Sequence, residues 1–266
     1  PGNAANLRFL AAPVDGAAVL FDVGRRESVG SYVKVPKMKV VPVVDCLYKV
    51  NLGMVNAYIL DDEELTLIDT GVPGSAEKIL GALEKLGHAP EEVKHILVTH
   101  LHMDHTGSLA ELKRRTGATV HMHPADAALV AEGRGAREMN PAPGLLSFLV
   151  TKLFVKRAPS DVEPCGTEEF LHDGDLLGFA GGLGVVHVPG HAEGQVAFLW
   201  PKRGGVLIAA DAAANMMGLG YPFVVEDLDV AKSSLARLGQ LEFEHACFGH
   251  GKPIVGGAVK AFRSRF

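Results

Sequence analysis

Apolar positions recur with two different spacings along this chain. Short apolar runs bounded by glycine or acidic residues occupy Val40–Tyr48, Val55–Leu60 and Leu65–Ile68, which predicts an antiparallel meander of strands. From Ser75 to Leu86 the apolar residues instead fall on one helical stripe, with Ser75 as the predicted cap and Gly87 as the stop. The first elements of the fold are therefore expected to be strands followed by a helix.

The alternation of strand and helix continues along the chain. The further predicted strands are Ile96–Val98, Ala118–Met122, Val185–Val188, Val196–Trp200, Val206–Ala210 and Ala246–Phe248, and the further predicted helices are Ser108–Arg115 and Leu228–Leu238. Two such halves, each a sheet with helices outside, would pack sheet against sheet in one α/β (α+β) domain. We assign this domain to residues 40–266 and treat residues 1–39, which show no regular pattern, as an N-terminal extension without an assigned role.

Four residues with metal-binding side chains follow the predicted strand Ile96–Val98 within six positions. They are His100, His102, Asp104 and His105. In an extended segment alternate side chains share a face, so His100 and His102 can bind one ion together. Asp104 and His105 come where the strand pattern ends, and a turn there can direct both toward a second ion. This spacing predicts a metal-binding segment.

Matching donors recur downstream, each where a predicted strand gives way to a loop. His191 lies in a Val-Pro-Gly-His turn, Asp211 follows an apolar strand, and His250 lies in a Phe-Gly-His-Gly segment. His121 and His123 form a second pair at the same spacing, but no Asp-His sequence follows them. We interpret these two as residues at the end of a strand that bind no metal.

Composition and charge indicate a globular enzyme rather than a nucleic-acid-binding or membrane protein. Hydrophobic residues make up 47% and charged residues 21% of the 266 positions, and the formal net charge is −5. Apolar stretches are interrupted well before the roughly 18 residues of a membrane span. Three widely separated cysteines indicate free thiols in a reducing compartment, so we expect a cytoplasmic location. As partner we expect a small-molecule substrate. The chain opens with Pro1, which makes the location provisional.

The ordered set of an HxHxDH motif, a histidine in a PGH turn, an aspartate and a final histidine resembles the metallo-β-lactamase superfamily of binuclear hydrolases. The resemblance runs from about Val40 to Gly251. It implies a four-layer αβ/βα sandwich of two mixed sheets with helices outside. By the family pattern one ion would be held by His100, His102 and His191, the other by Asp104, His105 and His250, with Asp211 bridging the pair.

This ligand set implies the cofactor and the chemistry. Imidazole and carboxylate ligands suit two zinc ions, with iron or manganese as alternatives. Two neighbouring ions lower the pKa of a shared water toward about 7 and so supply hydroxide as the nucleophile. Asp104 can bind metal, orient the water and carry a proton to the leaving group, which makes it the catalytic candidate. In the family the position of Asp69 lies behind the site and hydrogen-bonds a metal histidine, although a turn cap at a strand end is the alternative.

The resemblance implies a hydrolase acting on a small ester, lactone or thioester. β-Lactam hydrolysis is the first alternative and phosphodiester cleavage the second, while a mononuclear iron site of the persulfide dioxygenase type would be a different class of chemistry. Asp211 stands where the best-known zinc β-lactamases have Cys or Ser, which disfavours antibiotic hydrolysis. Acyl-homoserine lactonases place a tyrosine three residues after the bridging aspartate, where this chain has Ala214, so Asn215 or Tyr221 would have to replace it.

Residues 133–160 join the two halves and contain the mostly apolar, helix-like piece Gly144–Lys156. One interpretation is a lid whose Leu145, Phe148 and Phe154 shelter an apolar acyl group of the substrate. The other is a helix that packs on the sandwich or forms a dimer contact, so a homodimer stays open. A second flap follows Asp211, and the substrate-contact candidates are Phe148, Asn215, Met216 and Tyr221.

Overall fold

The computed structural model describes residues 40–153, 155 and 159–266. The predicted extension, residues 1–39, and Phe154 of the predicted lid lie outside the described residues. All described residues belong to one compact unit. Within it, two mixed sheets carry the loops that form the candidate site.

The first sheet has seven strands in the order β1-β2-β3-β4-β5-β6-β8. They are β1 (Val40–Val44), β2 (Leu47–Asn51), β3 (Asn56–Leu60), β4 (Thr66–Ile68), β5 (His95–Leu97), β6 (Thr119–Met122) and β8 (Glu169–Phe170). The first four strands pair antiparallel, whereas β4, β5, β6 and β8 pair in parallel. Because β4 and β5 end at the same edge, the loops that carry Asp69 and His100 begin side by side.

The prediction of one strand over Val40–Tyr48 was wrong. The chain turns back at Asp45 and Cys46, and Cys46 adopts a left-handed φ of 69°. Two short antiparallel strands, β1 and β2, therefore occupy this segment. The apolar pattern did not reveal the turn because the residues on both sides of it are apolar.

The second sheet has six strands in the order β17-β16-β12-β11-β10-β9. They are β9 (Leu176–Leu177), β10 (Leu183–His187), β11 (Val196–Trp200), β12 (Val206–Ala210), β16 (His245–Phe248) and β17 (Ile254–Val255). Only β12 and β16 pair in parallel among the described strands of this sheet. Their shared direction brings Asp211, which follows β12, next to the loop of His250, which follows β16.

Seven helices and two small two-stranded sheets complete the fold as described. The helices are α1 (Ala76–Leu86), α2 (Met103–Thr106), α3 (Leu109–Thr116), α4 (Pro124–Ala131), α5 (Leu145–Leu153), α6 (Leu228–Leu238) and α7 (Ala258–Arg265), and a 3₁₀ turn covers Pro90–Glu92. The two small sheets pair β7 (Asn140–Pro141) with β15 (Val224–Val225) and β13 (Ala214–Asn215) with β14 (Leu219–Gly220). Among the described residues, each helix falls short of the length and apolarity needed to cross a membrane.

Three apolar clusters explain the order of the layers. Tyr58 and Phe198 belong to a cluster between the two sheets. A second cluster joins the outer face of the first sheet to α1, α3 and α4, and a third joins the outer face of the second sheet to α6 and α7. Each sheet therefore buries one face against the other sheet and its opposite face under helices. The predicted four-layer sandwich is confirmed.

Candidate metal centre

The loops after four strands place seven potential metal-binding side chains together at one edge of the sandwich. The segment after β5, which includes the short helix α2, carries His100, His102, Asp104 and His105. The loops after β10, β12 and β16 carry His191, Asp211 and His250. The donor atoms form three overlapping groups, His100–His102–His191, His100–His105–Asp211 and Asp104–His105–His250, within each of which all atoms lie within 4.8 Å of one another.

His100, His102 and His191 form what we call the first donor group. Their ring centroids lie 4.6, 4.7 and 4.9 Å apart, and all three side chains are buried. Burial lowers the pKa values of His100 and His191 and lowers the pKa of His102 to about 3, with the neighbouring imidazoles adding to the effect at His100 and His102. These imidazoles are therefore neutral near pH 7 and offer lone pairs to a cation.

Asp104, His105 and His250 form the second donor group, and Asp211 lies between the two groups. His250 Nε2 lies 3.2 Å from Asp104 Oδ2 and 3.1 Å from Asp211 Oδ2. The Asp211 carboxylate is also 3.6 Å from His105 Nε2 and 3.6 Å from His191 Nε2. Asp211 is therefore placed to contact ions held by either group.

The carboxylates of Asp69, Asp104 and Asp211 lie around His105 of the second donor group. Burial alone would lower the pKa of His105, but Asp69, Asp211 and Asp104 raise it well above its ordinary value. Burial would likewise raise the pKa of Asp211, but His250 and His105 hold it well below its ordinary value. Carboxylates gathered in this way favour the binding of a metal cation.

Asp69 and Thr99 orient two of the histidines from behind the site. His105 Nδ1 lies 2.8 Å from Asp69 Oδ2, and His100 Nδ1 lies 3.0 Å from Thr99 Oγ1. The Thr99 hydroxyl donates its single proton to the Asp69 carboxylate at 2.9 Å. In its hydrogen bond with His100 the hydroxyl oxygen must therefore be the acceptor and His100 Nδ1 the donor. Both imidazoles therefore carry their protons on Nδ1 and direct Nε2 into the centre.

Backbone carbonyl groups orient two further histidines in the same way. His191 Nδ1 donates to the Val224 carbonyl at 2.8 Å, and His250 Nδ1 donates to the Met54 carbonyl at 2.7 Å. Both histidines consequently direct Nε2 into the centre, where His191 Nε2 lies 2.9 Å from His102 Nδ1. These contacts were not predicted, because the sequence gives no sign of which carbonyl a histidine faces.

Four buried polar atoms of the donor side chains have no hydrogen-bond partner within the described residues. They are His102 Nε2 and, together in one of the donor groups given above, His100 Nε2, His105 Nε2 and Asp211 Oδ1. Buried polar atoms in proteins are nearly always paired, so three unpaired atoms meeting at one place require an explanation. Bound divalent cations would satisfy all three, and the residues present therefore fit such ions.

The remaining site candidates differ in how accessible they are. Phe148 on α5 is 50% exposed and Met216 is 42% exposed. The Asn215 amide already donates to the Lys252 carbonyl at 2.8 Å, and the Tyr221 ring packs edge-on against Phe266. Their roles as substrate contacts stay predictions, with Phe148 and Met216 the more available side chains.

His121 and His123 lie outside the donor groups found among the described residues. His121 Nε2 is 2.9 Å from His95 Nδ1, and burial lowers its pKa to about 4. His123 instead stacks on His187 and accepts a hydrogen bond from the Ala125 amide.

The chain is similar in sequence to several known proteins. YobT, an uncharacterized protein of Bacillus subtilis, is 32% identical over 160 residues, which cover 59% of this chain and 61% of YobT. The chain thus matches less than two thirds of that relative. An N-acyl homoserine lactonase of a Bacillus species is 25% identical over 237 residues, covering 74% of this chain and 78% of the lactonase.

The fold is shared with solved structures. A metallo-beta-lactamase of Cronobacter sakazakii superposes with a TM-score of 0.62 at 22% identity, covering 79% of this chain and 77% of the other. The family model of the metallo-beta-lactamase superfamily matches residues 50–250, well over half of the sequence, and its span includes all seven donor residues. The chain belongs to the metallo-beta-lactamase superfamily.

Proposed function

We propose that this protein is a hydrolase that uses two divalent cations, zinc by preference, to cleave a small ester, lactone or thioester. One observation carries the proposal: imidazole and carboxylate side chains converge on one point, where three buried polar atoms of one donor group have no partner among the described residues. The first donor group would hold one cation, the second donor group the other, and Asp211 would contact both. Cations bound there would supply Lewis acidity and lower the pKa of bound water.

Asp104 is suited to move a proton during the reaction. Its side chain is 32% exposed, which makes it the most open of the seven donors. Burial raises its pKa, but His105 and His250 lower it more strongly, so Asp104 is ionised near neutral pH. It can therefore accept a proton from the attacking water and pass it to the leaving group of the substrate.

The helix α5 supports an apolar substrate. This helix buries Ser147 and Thr151 and exposes Leu145, Phe148 and Leu149, the reverse of what a helix packed on a core would show. It lies beside β7, whose partner strand β15 supplies the Val224 carbonyl that orients His191. We infer that α5 is a lid that shelters an apolar acyl group, in keeping with the similarity to an N-acyl homoserine lactonase.

The test is metal analysis of the purified chain followed by a substrate panel. Lactones, thioesters, β-lactams and phosphodiesters are compared by kcat/KM before and after removal of metal with a chelator and restoration with Zn²⁺. The proposal requires two bound cations per chain and the highest kcat/KM on a lactone, ester or thioester. Activity that survives complete metal removal would refute it, and a preference for β-lactams or phosphodiesters would correct the substrate class.

Replacing Phe148 by alanine is expected to reduce kcat/KM for long-chain acyl substrates about tenfold and to leave short-chain substrates nearly unchanged. A half-buried phenyl ring contributes about 1–2 kcal/mol of apolar contact, which corresponds to a factor of this size. Phe170→Ala, which truncates a 55% exposed phenylalanine on the edge strand β8, is the control. Equal losses on long and short substrates would refute the assignment of α5 as a lid.

A further inference from the structure

Two buried polar side chains outside the donor set hold the loops that carry the donors. One is Asp126 on α4, and the other is Asn56 at the start of β3. Their side chains are 0% and 4% exposed, so each must form its hydrogen bonds within the protein. The sequence pattern singled out neither residue.

Asp126 joins the two loops of the first donor group. Its Oδ2 accepts from the Leu101 amide at 3.0 Å, and Leu101 lies between His100 and His102. Its Oδ1 accepts at 3.0 Å from the amide of Gly194, three residues after His191. One carboxylate therefore fixes the separation of the backbone segments that carry all three histidines of this group.

Arg137 and Gly194 both pack closely against the Asp126 carboxylate. Arg137 donates to its Oδ1 at 2.6 Å and thereby balances the buried charge. A β-carbon at Gly194 would overlap the Asp126 carboxylate carbon. The loop can therefore approach the carboxylate only because residue 194 is glycine.

Asn56 holds the loop of the second donor group. Its amide nitrogen donates to the Phe248 carbonyl at 3.0 Å and to the Gly251 carbonyl at 2.9 Å, and these two residues flank the segment that contains His250. The Asn56 backbone amide donates to the Gly249 carbonyl at 2.8 Å. Both amide protons of one side chain are thus used to close the loop around His250.

We propose that Asp126 and Asn56 are positioning residues, Asp126 for the cation of the first donor group and Asn56 for the cation of the second. The inference rests on the proposed function, because it presupposes two bound cations. His105 belongs to the second donor group, although it follows Leu101 in the same segment after β5. Its position is nevertheless held independently of Asp126. Thr70 donates to the His105 carbonyl through its amide at 2.8 Å and through its hydroxyl at 2.6 Å.

The experiment measures the two Zn²⁺ affinities of the full chain by competition with a chromophoric chelator. Asn56→Asp places a carboxylate oxygen against the carbonyl oxygens of Phe248 and Gly251. Asp126→Asn turns a side-chain N–H toward the backbone N–H of either Leu101 or Gly194. Each variant is expected to weaken one Zn²⁺ about 10- to 100-fold, the usual cost of losing a residue that orients metal ligands, and to leave the other within about twofold. Asn56→Ser and Arg137→Gln are milder versions for use if either variant fails to fold.

Two backgrounds identify which cation is affected. His250→Ala is expected to retain the cation of the first donor group, where Asp126→Asn should weaken binding and Asn56→Asp should not. His191→Ala should retain the other cation and give the reverse result. A variant that weakens both cations equally, or neither, would overturn the proposal.

Matched controls separate positioning from a change of charge. Asn51→Asp makes the same replacement at an exposed residue directly opposite Asn56 in the β2–β3 pairing, and Asp161→Asn does so for an exposed aspartate. Both should bind two Zn²⁺ with the affinities of the parent chain. A parent chain that binds no Zn²⁺ would instead refute the proposed function.

Discussion

Replacing Asp211 by alanine is expected to reduce the bound metal from two ions to one or fewer and to lower kcat/KM more than about 100-fold. Loss of a residue that only orients a metal ligand costs about 10- to 100-fold, and Asp211 is placed to be a ligand itself. Its carboxylate lies 3.1 Å from His250 Nε2 and 3.6 Å from His191 Nε2, so its removal affects both donor groups. Metal content is measured by atomic emission, and kcat/KM on the best substrate of the panel.

The control for this variant is Asp161→Ala, which removes an exposed carboxylate from the same chain. It should retain two ions and the activity of the parent protein. Circular dichroism then checks that Asp211→Ala is folded, because removal of a buried charge changes the balance of neighbouring groups. A folded Asp211→Ala variant with two bound ions and full activity would show that the seven donors do not act as one centre.

The layers of the fold could be predicted from the sequence because apolar periodicity is local. The strands Val196–Trp200 and Val206–Ala210 and the helix Leu228–Leu238 have the predicted ends. The helix α1 also ends at Gly87, which adopts the left-handed conformation expected of a stop, although Ser75 occupies the cap position without a side-chain hydrogen bond. Helix α4 was missed, because it covers only eight residues and has no marked apolar stripe.

The donor residues could be predicted for a different reason. Metal binding requires a few residue types at fixed spacings, and these appear directly in the sequence as an HxHxDH motif and histidines at strand ends. Asp69, which lies 2.8 Å from His105 Nδ1, was expected from the family resemblance to hydrogen-bond a metal histidine. Most other hydrogen-bond partners could not be predicted, because they come from distant parts of the chain. Asn56 contacts Phe248 across 192 positions and Asp126 contacts Gly194 across 68. Thr99, next to His100, could have been suspected from its place beside the motif.

The superfamily accounts for the sandwich and for a metal centre at the edge where the loops meet. The exposed apolar face of α5 and the packing of Tyr221 against Phe266 are properties of this chain. We therefore expect substrate preference to depend on residues around the centre rather than on the donors themselves.

Replacing Gly249 by alanine is expected to remove at least one bound ion, to lower kcat/KM more than about 100-fold and to reduce the free energy of unfolding by about 1–3 kcal/mol, as overpacking does. A β-carbon there would overlap Asp211 Oδ1 and lie 2.7 Å from His105 Cε1, so it would displace Asp211, which lies between the two groups, and His105 of the second group. Backbone strain does not contribute, because Gly249 is not among the residues with positive φ. Gly166→Ala is the matched control, since its β-carbon would meet no atom within 4 Å and its φ is also ordinary. Metal content, kcat/KM and urea unfolding are compared for the two variants. A Gly249→Ala protein that matches Gly166→Ala in all three measurements would show that the donors do not require this close packing.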